Sequence, residues 1–274
     1  MEGAGVRLKR VFSNNEVELL DPFLLLDDFG SDNPADYVAG FPWHPHRGIE
    51  TVTYMLAGEV EHGDSMGNKG VIRSGDIQWM TAGSGIIHQE MPQAYKGTAR
   101  GFQLWVNLPA SDKMMDPRYR GVTSDTVVEV SPQPGVKVKV VAGALNGVKG
   151  PVRDVIADPE YFDVSLQANT AFEHDTPAGH TVFAYVIGGS GWLTRDKQDE
   201  LTDGQLALMN DGGKIKATAG GNGMRFLLVS GKPLKEPVAW YGPIVMNTQA
   251  ELDTAFEEFN NGTFIKHRRI PNAK

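Results

Sequence analysis

Short stretches of alternating or β-branched residues recur along the chain, separated by clusters of Gly, Pro, Asn and Asp. Clear examples are TVTYML at 51–56, FQLWV at 102–106, TVVEV at 126–130, VKVKV at 136–140, YFDVSL at 161–166 and MRFLLV at 224–229. Alternation with a period of two is typical of strands that bury one face. The length and spacing of these stretches favour sandwiches or open barrels over βαβ units. The pattern therefore predicts an all-β fold.

One short helix is predicted near the C-terminal end, where the apolar period becomes helical. Thr248 can cap its N-terminus, and Glu251 three residues later completes a capping box. Apolar residues then follow at helical spacing, at positions 252, 255, 256 and 259. The sequence Asn-Asn-Gly at 260–262 ends the helix.

A weak internal repeat points to two copies of one β domain. Residues 51–58 align with residues 181–188, and residues 75–83 align with residues 204–212 at nearly the same offset. The length of 274 residues also favours two domains. We expect a metal-binding N-terminal domain at 1–132 and a C-terminal domain without metal ligands at 133–274.

Composition narrows the chemistry. The 32 Gly and 16 Pro residues fit a turn-rich β protein. The chain has no Cys, which excludes disulfides, thiolate nucleophiles, iron–sulfur clusters and Cys-based zinc sites. Histidines and carboxylates are then the strong metal ligands that remain.

Charge and hydropathy restrict the partners. A net charge of -8 argues against a nucleic-acid partner, and the one dense basic run, at residues 266–269, is typical of a solvated tail. No run of 18 apolar residues is present, and the N-terminal residues do not resemble a signal peptide. We expect a cytoplasmic protein with no membrane partner.

Two histidine-containing pairs carry the candidate chemistry. His44 and His46 are two residues apart, as are His88 and Glu90. Residues two apart in a strand point to the same face, so each pair offers two ligands to one side. If the strands are neighbours, three imidazoles and one carboxylate form a site suited to iron or another first-row divalent metal.

The repeat separates the two copies in function. At the same offsets His44 corresponds to His174, whereas His46, His88 and Glu90 correspond to Thr176, Ala217 and Ala219. The second copy thus keeps the framework and lacks three of the four ligands. We expect His174 to be a remnant that is hydrogen-bonded in packing.

The amino-acid sequences of five motifs resemble those of the pirin family of bicupins. The motifs are LDDF at 26–29, FPWHPHRGIETV at 41–52, GDIQWMTAG at 75–83, HQEMP at 88–92 and GPIVMNT at 242–248. They run in order over nearly the whole chain. One departure is Ser84, where many pirins carry Arg. This difference alters the charge near the site, so it affects the expected identity of the substrate more than the expected binding of a metal.

The resemblance implies a fold, a cofactor and an activity. It implies two tandem cupin-type β-barrels, with Fe²⁺ in the N-terminal domain held by His44, His46, His88 and Glu90. Glu50 is the alternative carboxylate ligand, since many other cupins have the carboxylate at this distance after the histidine pair. Glu50 also points to the same face as both histidines if the strand is unbroken. We favour Glu90 and expect Glu50 to contact the ligands rather than the metal. Several pirins resemble quercetin 2,3-dioxygenases, which implies cleavage of a flavonol ring with dioxygen and release of carbon monoxide. Glu90 is then also the expected catalytic base.

Two other classes of function stay open. Pirins are also described as regulatory proteins, in which the iron oxidation state controls binding to a protein partner; an acidic surface suits a basic partner. A catalytically silent, metal-binding cupin is the third class. For the enzyme, Phe41, Trp43, Met80 and Met91 are candidate walls of a pocket for a flat aromatic substrate, and His62 is expected in a turn.

Overall fold

The computed structural model describes residues 2–193, 198–209 and 213–267. The chain divides into two compact units. The first comprises Met1–Glu18, Phe23–Ser124 and Leu234–Lys274, and the second comprises Leu19–Pro22 and Asp125–Pro233.

This division differs from the expected domains at 1–132 and 133–274, because the chain returns to the first unit after residue 233. Hydrogen bonds hold the returning segment. Val245 N donates to Arg47 O at 3.1 Å, and the buried ammonium of Lys113 donates to Val245 O at 3.1 Å and to Gly48 O at 2.9 Å. The C-terminal segment is therefore part of the unit that carries the predicted metal ligands.

The first unit contains two antiparallel sheets. The six-stranded sheet has the order β1-β2-β9-β4-β7-β10 and the four-stranded sheet has the order β3-β8-β5-β6. Their strands are β1 Leu8–Phe12, β2 Phe23–Ser31, β3 Phe41–His46, β4 Ile49–Ala57, β5 Val60–Asp64, β6 Lys69–Ile72, β7 Ile77–Thr81, β8 Ile86–Pro92, β9 Ala99–Asn107 and β10 Arg118–Val122. The sheets enclose a buried core that includes Leu24, Ile49, Met80 and Ile86.

The second unit is built on an eight-stranded sheet with the order β11-β12-β15-β20-β17-β18, to which β16 and β19 also pair. The strands of this sheet are β11 Val128–Val130, β12 Val136–Ala142, β15 Glu160–Leu166, β16 Ala171–Asp175, β17 Thr181–Trp192, β18 Leu201–Thr202, β19 Leu206–Leu208 and β20 Lys214–Gly231. A separate two-stranded sheet consists of β13 Ala144–Leu145 and β14 Val148–Lys149. Apolar residues of alternate positions form the core of the unit, among them Phe162, Val164, Phe226 and Leu228. Strands form at all six stretches named from the sequence, which confirms the all-β prediction.

The remaining elements are short. They are the 3₁₀ helices Asn14–Glu16 and Pro34–Asp36, the helix α1 Val17–Leu20, the strands β21 Ala239–Tyr241 and β22 Ile244–Met246, and the C-terminal helix α2 Gln249–Asn260. Among the described residues, no helix is both long enough and apolar enough to cross a membrane.

The predicted capping box of α2 is confirmed. Thr248 accepts a hydrogen bond from Glu251 N, and the Glu251 carboxylate accepts one from Thr248 N at 2.8 Å. Leu252 and Ala255 are the buried residues of the helix, so the predicted apolar face is the one that packs.

Thr248→Ala should lower the free energy of unfolding by about 1 kcal/mol, because the N-terminal amide of α2 loses its acceptor. Urea unfolding measures this. Thr254→Ala is the matched control, since Thr254 lies within the helix and its hydroxyl donates to Ala250 O of the preceding turn; there alanine should change stability by less than about 0.5 kcal/mol. Equal effects of the two variants would contradict the role of the cap.

The predicted repeat corresponds to equivalent turns in the two units. The first matched segments lie in β4 and β17, and Gly75 and Gly204 follow them with φ of 87° and 81°. Gly75 N donates to Met55 O at 2.7 Å and Gly204 N donates to Val186 O at 2.8 Å. In these turns Met55 is equivalent to Val186, whereas the sequence alignment pairs residue 55 with residue 185, one position earlier. The end of the second copy, at 210–212, lies outside the described residues, as do Arg268 and Arg269 of the basic run.

Candidate metal centre

Three of the four predicted ligands come together on neighbouring strands. His44 and His46 lie on β3, and His88 lies on β8 directly opposite His44. The Nε2 atom of His44 is 3.0 Å from Nε2 of His46 and 2.9 Å from Nε2 of His88. Among the residues that the structure describes, these are the one group of three or more His, Asp or Glu side chains placed to hold a metal ion, and their ligand atoms all lie within 4.8 Å of one another.

Backbone acceptors set the tautomers of two of these histidines. His44 Nδ1 lies 2.9 Å from Pro42 O and His46 Nδ1 lies 3.0 Å from Pro243 O. A carbonyl oxygen only accepts, so both Nδ1 atoms donate, and in the neutral form of each ring the Nε2 atom then presents its lone pair. Two lone pairs facing each other at 3.0 Å repel, and a cation between them relieves that repulsion. The carbonyls thus act as the outer partners that orient metal-bound imidazoles.

Burial keeps His46 and His88 in the ligating state. Burial lowers the pKa of His46 well below its usual range, and the neighbouring His44 adds to the effect. The pKa of His88 is likewise well below its usual range because the ring is buried, with the other histidines contributing. Neutral imidazole is the form that binds a metal.

The spacing of the nitrogen atoms also fits a metal. Imidazole nitrogens bonded at about 2.1 Å and at right angles to one another are about 3.0 Å apart. The donor set of three imidazoles suits a first-row divalent ion. His44, His46 and His88 therefore fit a metal with further coordination positions for a carboxylate, water or substrate.

Glu90 lies beside this cluster and is not part of it. It is two residues from His88 on β8, on the same face, and lines the same cavity as His44 and His46. Its Oε1 accepts a hydrogen bond from Thr53 Oγ1 at 2.8 Å. Glu90 as fourth ligand and base stays a prediction.

Glu50 belongs to a different environment. Strand β3 ends at His46 and β4 begins at Ile49, so the strand is broken and the shared parity with the histidines is lost. Glu50 Oε1 accepts a hydrogen bond from Thr81 Oγ1 at 2.5 Å and lies 3.9 Å from Arg120. Alternation along β4 places it on the face opposite Thr53, which contacts Glu90.

The other two histidines considered earlier lie in strands. The expectation of a turn at His62 was wrong, because it lies in β5 and is 3% exposed, with its Nε2 3.3 Å from Asp64 Oδ2. His174 lies in β16 with its Nε2 3.1 Å from both carboxylate oxygens of Glu160. A hydrogen-bonded packing role for His174 is thus confirmed.

A cavity of about 560 Å³ opens at the histidine cluster. Of the four predicted wall residues, Phe41 lines it. Trp43 is instead 54% exposed, and Met80 is buried in the core of the first unit. The ring of Trp105, which also lines the cavity, meets the His46 ring edge-on at 5.0 Å.

The C-terminal segment contacts the histidine cluster. Pro243 supplies the acceptor for His46, and Trp240 lines the cavity. The buried guanidinium of Arg47, next to His46, donates to Ser84 O at 2.7 Å and to Phe264 O at 3.0 Å. Residues far apart in sequence therefore fix the strand that carries two of the predicted ligands.

Comparison with known proteins identifies the family. Two family models match the chain, Pirin over residues 5–106 and the Pirin C-terminal cupin domain over residues 161–265. The chain belongs to the pirin family. Its fold is accordingly that of two cupin-type domains with one short C-terminal helix.

Individual pirins and solved structures agree with this assignment. A pirin-like protein of Caulobacter vibrioides is 45% identical over 264 residues, which cover 96% of this chain and 94% of the relative. The crystal structure of quercetin 2,3-dioxygenase from Acinetobacter baumannii is 33% identical, with a TM-score of 0.89, and covers 98% of this chain and 95% of that chain. A bacterial pirin from Escherichia coli, solved in complex with nickel(II), is 22% identical with a TM-score of 0.67 over 85% of this chain and 94% of that chain, which shows the shared fold.

Sequence reasoning missed most of the polar lining of this pirin's cavity. Thr53 and Gln103 lie in its wall, as do Arg10 and Asp27. Thr53 and Gln103 are polar members of alternating stretches, whereas Arg10 and Asp27 each stand beside another charged residue in their strands. The sequence pattern of a strand does not show which other strands lie beside it. The four residues are therefore brought together only by the order of the strands in the sheet.

Proposed function

We propose that this pirin is an iron-dependent dioxygenase that cleaves the heterocyclic ring of flavonols of the quercetin type. One observation carries the proposal: the Nε2 atoms of His44, His46 and His88 converge at the wall of a largely apolar cavity of about 560 Å³. That volume is in the range of pockets that hold small organic ligands. The similarity to the quercetin 2,3-dioxygenase structure supports the choice of substrate.

Each residue has a distinct task in the proposed reaction. When bound, Fe²⁺ supplies Lewis acidity, which lowers the pKa of a substrate hydroxyl. The three histidines hold the ion, and Glu90 accepts the proton of the flavonol 3-hydroxyl as that group binds. Thr53 donates to Glu90 Oε1 at 2.8 Å and so orients the carboxylate, leaving Oε2 for the proton. The indole of Trp105 covers the edge of His46 and excludes water from that side.

Oxygen uptake tests the proposal directly. Iron-loaded protein should consume dioxygen when quercetin is added, with a matching loss of flavonol absorbance. The same protein loaded with Zn²⁺, which has no redox chemistry, should consume none. Iron-loaded protein that leaves both oxygen and quercetin unchanged would overturn the proposed activity.

Glu90→Gln should lower the turnover rate by about 100-fold, because an amide cannot accept the proton. The measurement is the initial rate of oxygen uptake at equal iron content. Glu50→Gln is the matched control, since Glu50 is also a buried glutamate but lies on the face of β4 opposite Thr53, the residue that contacts Glu90. Its rate should stay within about threefold of the original. If Glu50→Gln fell further than Glu90→Gln, Glu50 would be the functional carboxylate.

A further inference from the structure

A row of polar side chains crosses the inner face of the six-stranded sheet. We call it the polar row; it consists of Arg10, Asp27, Gln103 and Thr53, one from each of four neighbouring strands. Arg10 is directly opposite Asp27, Asp27 opposite Gln103, and Gln103 opposite Thr53. Residues directly opposite in antiparallel strands point to the same face. All four line the cavity, so the polar row forms one continuous polar band in its wall.

The two ends of the polar row differ. At one end Thr53 bonds to Glu90 beside the histidine cluster, and the side chains of Thr53 and Gln103 lie within hydrogen-bond distance at 2.8 Å. At the other end the Asp27 carboxylate is held by two bonds from Arg10, from Nε to Oδ1 and from the NH2 nitrogen to Oδ2, both 2.9 Å long. Such a paired arrangement fixes the plane of the carboxylate, and each oxygen keeps capacity for a further donor.

An apolar strip lies alongside the polar row. Leu25 and Trp105 are opposite one another, each two positions along its strand from the row, and both line the cavity. Phe29 and Trp240 extend the apolar lining. A flat apolar surface next to a line of polar groups is suited to an aromatic ligand whose edge carries hydroxyl groups.

The length of the polar row restricts the ligand further. Neighbouring strands are about 4.8 Å apart, so Asp27 on β2 and Thr53 on β4 are separated by about 10 Å. One aromatic ring is too short to contact Glu90 and Asp27 together. A ligand that uses both ends has at least two linked rings, with a hydroxyl at each end.

We propose that Asp27, positioned by Arg10, is a specificity-determining residue that accepts hydrogen bonds from phenolic hydroxyls at the end of a multi-ring substrate remote from the histidines. The inference rests on the proposed function for the class of ligand. It adds that the cavity selects ligands with phenolic hydroxyls at the end remote from the histidines. A site built to bond a hydroxyl discriminates against an analogue that lacks it, because the analogue displaces water from Asp27 without replacing the hydrogen bonds that the carboxylate accepts beyond those from Arg10.

The test compares two probes on protein loaded with Zn²⁺, so that ligands bind without turnover. Quercetin carries hydroxyls at both ends, and 3-hydroxyflavone lacks those on the outer rings. By isothermal titration calorimetry, Asp27→Asn should weaken quercetin about tenfold and leave 3-hydroxyflavone within about twofold. Asp28→Asn is the matched control: it is adjacent in the same strand, on the opposite face, with its own partner Arg100 at 2.9 Å. It should change neither affinity.

The possible results separate the two proposals. Equal weakening of both probes by Asp27→Asn, or no weakening of quercetin, would show that the ion pair is structural and would overturn the inference. If thermal melting shows that Asp27→Asn does not fold, Arg10→Lys replaces it, since Lys keeps the charge but cannot hold both carboxylate oxygens; it should weaken quercetin alone by at least about threefold. Unmodified protein that binds neither probe would overturn both proposals. Selective binding that depends on Asp27, combined with iron-loaded protein that consumes no oxygen, would overturn only the dioxygenase.

Discussion

His88→Ala is expected to weaken metal binding by more than about 100-fold and to remove measurable oxygen uptake with quercetin. The variant takes away one of three nitrogen atoms that lie within 4.8 Å of one another, and it empties the space of a fully buried ring. Loss of even an outer partner of a ligand typically weakens a metal site by 10- to 100-fold, so loss of a ligand exceeds that. Metal content after equilibration with a competing chelator measures the effect.

His174→Ala is the control for this experiment. His174 is the residue that the repeat aligns with the first site, and it bonds to Glu160 within the second unit. Its loss should leave metal content and oxygen uptake within about twofold of the original values. Retention of the metal by His88→Ala at the original affinity would show that the histidine cluster is not the metal site.

Gly48→Ala should destabilise the protein by roughly 3 kcal/mol or more, which is the largest effect on stability that we expect. Gly48 has φ of 78°, and a Cβ there would lie 1.9 Å from Val245 O. That carbonyl is backbone of the segment that also contains Pro243, the acceptor for His46. Displacing it should therefore reduce metal affinity as well as the free energy of unfolding, measured by urea denaturation with and without metal.

Gly67→Ala separates the overlap from the strain of the backbone. Gly67 has φ of 87°, and a Cβ there would meet no atom within 4 Å. Only the cost of a left-handed conformation remains, about 1 kcal/mol, with no change in metal affinity. A loss of stability at Gly48 no larger than that at Gly67 would show that the segment around Val245 yields freely.

The strands, helix α2 and the shared face of the first histidine pair could be predicted from the sequence, because each depends on residues close together in the chain. The period of two located the strands, and the capping box located α2. His44 and His46 were predicted on one face because strand alternation acts over two residues. The parity argument failed for Glu50, since Arg47 and Gly48 interrupt the strand between the histidines and the carboxylate. Nothing in the spacing alone reveals such a break.

Features that depend on sheet order were not predictable in the same way. Pro243 is 197 residues from His46, so its carbonyl is an acceptor that no local pattern indicates. The polar row joins strands that are neighbours only in the order β1-β2-β9-β4. The motif LDDF contained Asp27 and Asp28 side by side, yet only the structure shows that the first faces the cavity and the second has a separate partner.

The discontinuity of the first unit has a consequence for biosynthesis. Domains generally fold in the order in which the ribosome releases them. Here the second unit is complete by residue 233, whereas the first still lacks Leu234–Lys274. His46 gains its Pro243 acceptor, and Arg47 its Phe264 acceptor, only when that last segment has been translated. The nascent chain therefore finishes the unit with the histidine cluster last, and a premature stop in this segment removes support from histidines encoded nearly 200 codons earlier.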